Sequence, residues 1–454
     1  MAAAACHGAA CRSELADDGL APGIRAIALA AALGAVQLQS MQMSHADTGH
    51  PLTERPSRLP EGPAAAGLRV LHVVPSFWPA LLRYGGPIES TLQLCRHLAA
   101  AGCEVTVLTT DSNGPGTRVA VETGSEVELA AGMRVRYYRK LMRNSVAPEL
   151  IRNLARYAAA ADLVHLHAVY NFPTIPTLAV CRRMHKPLIW APHGSFQKWP
   201  GRRRALAKSV WNGLCRKIVP AHTIFHATSE PEAESIRTAL PGLSIAVITN
   251  GVTIPDSSPG PAGGADTLRL LFIGRLDPVK GIENLLQACA ILRRREAPSF
   301  TLTLAGDGPE AYRKGLHELV HRYELTDRVR MIGPVNGDEK ERAFAEADVA
   351  IIPSFTENFG IVVAEALARQ RPVIASHGTP WAEVERVGCG LWVENSPAAL
   401  SEAVCRISTM PLPQMGEKGR RWMIERFGWP AIAQQMLACY GRALSIAGGT
   451  GPAT

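Results

Sequence analysis

Two glutamates, Glu357 and Glu365, bracket the stretch of this chain best suited to chemistry. They lie in Pro353-Ser-Phe-Thr-Glu-Asn-Phe-Gly-Ile-Val-Val-Ala-Glu-Ala-Leu-Ala368, directly after the apolar, β-branched run Val349-Ala-Ile-Ile352. The pattern predicts a strand, a glycine-containing loop and then a helix. In a parallel sheet that junction falls at the carboxyl edge of the strands, where ligands bind. A helix opening beside Asn358, Phe359 and Gly360 offers free N–H groups and a partial positive charge to an anion. Taken singly, Glu357 could be answering the helix dipole and Glu365 could be a solvated helix residue.

Other residues of the same kind recur at strand ends. Arg275 closes the run Leu268-Arg-Leu-Leu-Phe-Ile-Gly-Arg275, and Lys280 follows where the next helix begins. Two cations at the ligand edge of a sheet are the arrangement a diphosphate needs. His193, in Ala191-Pro-His-Gly-Ser-Phe196, also follows a strand, and Gly194 permits a turn that exposes the imidazole; a structural, hydrogen-bonded histidine fits the same pattern. After the first strand, Leu68-Arg-Val-Leu-His-Val-Val74, comes Arg83-Tyr-Gly-Gly-Pro-Ile-Glu-Ser90, in which Gly85 and Gly86 let backbone approach a ligand closely.

The pattern P-S-x-x-E-x-F-G-x-x-x-x-E-A resembles the signature of retaining glycosyltransferases of family 4, enzymes of the GT-B fold. Gly274-Arg-Leu-Asp-Pro-Val-Lys-Gly281 resembles that family's pyrophosphate-binding motif, and Asn250-Gly-Val252 matches its interdomain junction. The resemblance implies that Glu357 lies by the donor sugar, that Glu365 binds the nucleotide's ribose and that Arg275 and Lys280 hold the diphosphate. It further implies that Gly85 and Gly86 near that diphosphate, and that His193 reaches the sugar and phosphate from the opposite domain. The loop Pro372-Val-Ile-Ala-Ser-His-Gly-Thr-Pro-Trp381 resembles one in the bacterial surface-polysaccharide branch.

The elements that must position these residues alternate between strand runs and helical stretches. Glu104–Thr110, Leu163–His167, Pro187–Ala191 and Thr223–Thr228 read as strands of a parallel, doubly wound sheet, and the pattern restarts at Leu268. Residues 1–67, rich in Ala, Gly, Pro and Ser, are expected to be a poorly ordered extension. Residues 68–253 are expected to form an N-terminal Rossmann-like acceptor domain, 254–267 a linker, 268–427 a Rossmann-like donor domain, and 428–447 a helix crossing back to the first domain. His165 and His167 alternate with apolar neighbours and read as structural. Gly306-Asp-Gly308 lacks the third glycine of a dinucleotide fingerprint, since Ala311 stands there, which disfavours a dehydrogenase.

The chain has 454 residues, a net charge of +8 and 47 % hydrophobic residues, enough for two packed domains. No uninterrupted apolar run reaches membrane-spanning length, and ten scattered cysteines form no C-x-x-C pair, which suits a reducing cytoplasm. Between Leu163 and Ser229 there is no Asp or Glu but there are ten Lys and Arg, from Arg182 to Lys217. Such a stretch is a solvated face, a nucleic-acid patch or an attraction to anionic lipid. Without a nucleic-acid motif, the expectation is no nucleic acid, but a membrane surface or a lipid-diphosphate acceptor. No Asp-x-Asp occurs, so neither a metal ion nor a cofactor is expected. The predicted activity is retaining transfer from a nucleotide-diphosphate sugar to a glycan or lipid-linked acceptor in cell-surface polysaccharide synthesis, cytoplasmic or peripheral at the inner membrane face. A nucleotide-sugar epimerase or hydrolase of the same fold is the alternative.

Overall fold

The computed structural model describes residues 67–80, 86–114, 116–142, 145–197, 205–257, 260, 267–295 and 298–448. Residues 1–66 of the extension predicted at the amino terminus and Gly85 lie outside the described residues, as do Lys198 and Arg202–Arg204 of the basic stretch.

Two sheets carry the chain. The first consists of β1 (Arg69–Val73), β2 (Glu104–Thr110), β3 (Glu126–Ala130), β4 (Met133–Tyr138), β5 (Leu163–His167), β6 (Leu188–Ala191), β7 (Ile224–Ala227) and β8 (Ser244–Val247). Their order is β3-β4-β2-β1-β5-β6-β7-β8. The second consists of β9 (Leu268–Ile273), β10 (Phe300–Ala305), β11 (Val329–Gly333), β12 (Val349–Ile352), β13 (Val373–Ser376) and β14 (Gly390–Val393), in the order β11-β10-β9-β12-β13-β14. Central strands such as β5, β6, β12 and β13 are buried at every position, as helices on both faces of a parallel sheet require.

One departure from the parallel reading is the antiparallel edge strand β3, joined to β4 by the two residues Ala131 and Gly132. Sequence reading passed over both strands. Glu126-Val-Glu-Leu-Ala130 alternates polar and apolar residues, as a strand wet on one side does, and is nowhere fully buried.

The two sheets repeat one anchoring device at their amino edges. Arg69, the first residue of β1, sends its backbone N–H (2.9 Å) and its guanidinium (2.6 Å) to Asp162, just before β5. Arg269 of β9 does the same, at the same two distances, to Asp348, just before β12. Each carboxylate ties the first strand to its neighbour at the amino edge and leaves the carboxyl edge open for loops.

The helix Trp429–Gly448 packs on the first sheet, not the second. Trp429, Ile432, Met436, Tyr440 and Ala443 share a buried cluster with Val70, Ile189 and Ile224. The Tyr440 hydroxyl reaches His165 Nδ1 at 2.8 Å, and the chain crosses between sheets where Val252 N–H donates to the Phe427 carbonyl (2.8 Å). Truncating a buried aromatic such as Tyr440 to alanine would cost about 3–5 kcal/mol. Described by itself, the helix Ala205–Ile218 belongs, up to Lys217, to a separate unit; Arg216 and Lys217 are exposed on it, and Val210 and Leu214 recur at helical spacing and are half-buried. No helix of the described residues is long and apolar enough to cross a membrane.

Candidate active site

The loop after β12 places Glu357. Its backbone N–H donates to the Gly378 carbonyl (2.8 Å), while Phe355 N–H donates to the Val279 carbonyl (2.9 Å), lashing together the loops that follow β9, β12 and β13. Two glycines make this approach possible. A Cβ on Gly281, whose φ is 65°, would overlap the Pro353 carbonyl, and one on Gly378 would overlap those of Ser354 and Phe355. The Glu357 carboxylate forms an ion pair with Lys280 Nζ and accepts from Ser354 Oγ (2.7 Å). Both partners are mostly sheltered, with side chains 19 % and 15 % exposed, so the pair is screened far less than a surface one. Arg275 behaves differently: its side chain is 58 % exposed and lies 3.6 Å from Asp277. The two cations thus flank one loop, but only Lys280 is committed to Glu357.

Gly360, at φ 74°, caps the helix Ile361–Ala368. Val363 N–H turns back to the Gly360 carbonyl, whereas the N–H groups of Ile361 and Val362 have no acceptor among the described residues. This is the ordinary condition of a helix start, and it leaves N–H groups able to meet an anion. Glu365 is the one charged residue on that helix and is largely sheltered, at 15 % exposure. Its Oε1 meets Lys340 Nζ at 2.6 Å, while its Oε2 is buried without a partner. A buried carboxylate oxygen left unpaired is costly, and this one leaves an acceptor free. Phe359 faces inward instead. Its ring packs on Trp381 and Phe427, and its carbonyl accepts from Trp381 Nε1 (2.5 Å), so its part in any ligand contact is through backbone.

His193 stands on the first sheet, just after β6, in the left-handed region (φ 51°), with Gly194 following at 71°. Glu232, buried in the first turn of the helix Glu230–Ala239, holds this turn: Oε1 accepts from Gly194 N–H (2.6 Å). Its Oε2 accepts from Thr228 N–H (2.7 Å) and Thr228 Oγ1 (2.9 Å). Burial raises the carboxyl's pKa, and these hydrogen bonds oppose the rise. Behind His193 lie His167, His72, His165 and His226, all buried. Burial is the leading cause that lowers each of the five, His72 and His193 to about 3 and His226 to about 4, so the group is uncharged near neutrality.

Asn358 joins the two walls. Its side-chain amide donates to Thr228 Oγ1 (2.7 Å), its side-chain oxygen accepts from Gln197 Nε2 (3.3 Å), and its backbone carbonyl accepts from Ser229 Oγ (2.7 Å). A Cβ on Gly194 would sit 3.1 Å from Asn358 Cβ, and one on Gly86 would sit 3.3 Å from Ile361 Cγ2. The turn bearing His193, the start of the helix Gly86–Ala100 and the loop bearing Glu357 therefore converge. Asn358, expected beside a helix start that meets the donor, has its own polar groups engaged across the domains. Sequence reading missed Glu232, Thr228, Ser229 and Lys340. The pattern Ser229-x-x-Glu232 was a helix-start signal, and Ser229 Oγ does accept from Glu232 N–H (3.3 Å), but only the fold reveals that the carboxylate serves the His193 turn.

Comparison with known proteins bears on the same regions. Residues 84–254 match the family described as Glycosyltransferase Family 4, and residues 262–422 match Glycosyl transferases group 1. D-inositol 3-phosphate glycosyltransferase of Streptomyces bingchenggensis is 28 % identical over 90 % of this chain and 95 % of its own length. Among solved structures, sucrose-phosphate synthase from Thermosynechococcus elongatus superposes with a TM-score of 0.64 at 22 % identity, covering 84 % of this chain and all of that one. Anabaena HepE in complex with UDP and glucose gives 0.61 at 20 % identity, covering 81 % of this chain and 98 % of that one.

Proposed function

Because this chain belongs to glycosyltransferase family 4 and has the GT-B fold, we propose that it is a retaining, metal-independent hexosyltransferase. Its donor is a nucleotide-diphosphate sugar. The observation that carries the reading is one strand edge bearing three unfilled or polarised groups together. They are the Lys280–Glu357 pair, the unpartnered Oε2 of Glu365 and the free N–H groups at the start of the helix Ile361–Ala368. A nucleotide sugar offers a match for each: sugar hydroxyls, ribose hydroxyls and a diphosphate.

In this reading Lys280, Arg275 and the helix start neutralise charge growing on the leaving diphosphate, an effect worth several kcal/mol in a closed site. Gly86 brings backbone close to that diphosphate. Glu357 fixes the sugar, Glu365 the ribose, and His193 meets the donor from the facing wall. The bond from the anomeric carbon to the diphosphate oxygen breaks as the acceptor oxygen bonds on the same face, and the acceptor's proton passes to the leaving phosphate oxygen. No cofactor takes part. The acceptor is a glycan or a lipid-diphosphate-linked sugar in surface-polysaccharide synthesis, reached at the cytoplasmic membrane face through the basic stretch 182–217, and nucleic acid is not a partner. The inositol phosphate in the relative's name belongs in the same acceptor screen.

Calorimetric titration with a panel of nucleotide sugars, then NMR of the anomeric product formed in excess EDTA, tests the reading. Binding of one donor and a retained anomer are expected. Failure of every nucleotide sugar to bind, an inverted product, or activity lost to EDTA and restored by Mg²⁺ would overturn it.

A further inference from the structure

The histidines behind His193 form a connected series, not a loose cluster. His72 on β1 and His165 on β5 are register partners in adjacent parallel strands, and His167 lies two residues further along β5, so all three project from one face of the sheet. His167 Nδ1 is 2.9 Å from His193 Nε2, and His167 Nε2 is 3.0 Å from His72 Nδ1. Three rings are thus joined nitrogen to nitrogen, from the buried sheet to the turn at the cleft. The ring planes of His167 and His193 are only 12° apart.

An uncharged imidazole has one N–H and one lone pair, so two hydrogen bonds in series must run in the same direction. If the protons point inward, from His193 to His72, the series ends in a His72 Nε2–H. That atom is buried with no partner among the described residues. The adjoining cavity, about 10 Å³ and room for a single water, is lined by His167, His193 and His226 but not by His72. Water there can serve His226 Nδ1, which is a bare lone pair because His226 Nε2 donates to the Ile248 carbonyl (2.9 Å). It leaves an inward-pointing His72 N–H stranded, and buried orphan donors are rarer than under-used acceptors. If the protons point outward, the N–H groups of His72 and His167 both find acceptors within the series and His72 Nε2 is left as a bare lone pair. The last N–H of the series is then Nδ1–H of His193, a nitrogen that is neither buried without a partner nor bonded among the described residues.

We infer that His167 is a positioning residue, backed by His72, that holds His193 as its Nδ1–H tautomer and so presents an N–H donor to the cleft. This rests on the reading above, in which His193 meets the donor's sugar and phosphate. An acceptor oxygen gaining charge on the leaving group would then find a fixed, uncharged donor that neither loses its proton nor turns away. A metal at His72, His165 and His167, whose ligand atoms lie within 4.8 Å of one another, is incompatible with this arrangement, since both nitrogens of His167 are already engaged in the series and a metal on either would break one of its hydrogen bonds.

The test uses the full chain. Long-range ¹H–¹⁵N spectra of histidine-labelled protein, with the His193 signals identified by their loss in His193→Gln, should show Nδ1 protonated and Nε2 bare. His167→Phe should lower kcat by about tenfold or more, the loss of one oriented donor setting the ceiling, with little change in the KM for the nucleotide sugar. His167→Asn, whose amide can still donate to His193 Nε2, should recover most of that kcat. An Nε2–H tautomer of His193, unaltered kcat in a folded His167→Phe, or stoichiometric zinc in the purified protein would overturn the inference. Should His167→Phe not fold, the tautomer in the unaltered protein decides. Failure of the glycosyl-transfer reading shows itself separately, as absent turnover in the unaltered protein with every donor.

Discussion

Mild acid should destabilise the first sheet's domain selectively. His72, His165, His167 and His226 are buried, and burial drives all four below the ordinary histidine value of 6.5. In the unfolded chain they titrate near that ordinary value, so below it the unfolded state binds more protons and stability falls with falling pH. The loss begins near 6.5 and continues until the folded values, about 3 for His72 and about 4 for His226, are reached. At about pH 5.5, one unit below the unfolded value, each group whose folded value lies well below that pH has cost on the order of 1 kcal/mol. Together the four cost several kcal/mol, a large part of the roughly 5–15 kcal/mol that holds a typical domain together. Carboxylates, titrating near 4 when unfolded, add little at that pH. Urea unfolding followed through tryptophan fluorescence is a suitable assay, because Trp190 lies buried in β6 against Phe225. The urea midpoint should drop sharply between about pH 7.5 and pH 5.5, and replacing His226 by an apolar residue should remove about a quarter of that pH dependence. Equal midpoints at the two pH values, or uptake of fewer than about one proton on unfolding, would refute the assignment of an uncharged histidine core.

Other expectations concern the cleft. Glu357→Gln should lower kcat strongly while nucleotide affinity changes little, because the contact matters most when the sugar's bond breaks; near-normal turnover would remove this residue from the reaction. Glu365→Gln should weaken nucleotide and nucleotide sugar alike by roughly 1.5–3 kcal/mol, read by calorimetry, since the unpaired oxygen of Glu365 becomes an amide. Asn358→Ala deletes two side-chain hydrogen bonds across the domains and should raise the donor KM and increase hydrogen exchange in the turn at His193; unaltered exchange there would mean the bridge does not hold that turn.

What could be read from the sequence was local in the chain. A strand buried on both faces must be apolar throughout, so Val349–Ile352 declares itself, and the glycines and acids that follow it lie within a few residues of the strand end that positions them. The two-sheet α/β architecture followed from the same repeated pattern. Tertiary structure decided whatever depends on which strands become neighbours. Nothing in the spacing of His72, His167 and His193 announces a hydrogen-bonded series, because β1 must lie beside β5, and β5 beside β6, before their side chains meet on one face. Glu232 serves a turn 38 residues earlier, and Asn358 bonds Thr228 across 130 residues of chain. The β3–β4 edge stayed hidden because a half-wet hairpin needs only alternation, a weaker signal than a continuous apolar run. Periodicity reports whether a side chain is buried, and only the packed fold determines what it is buried against.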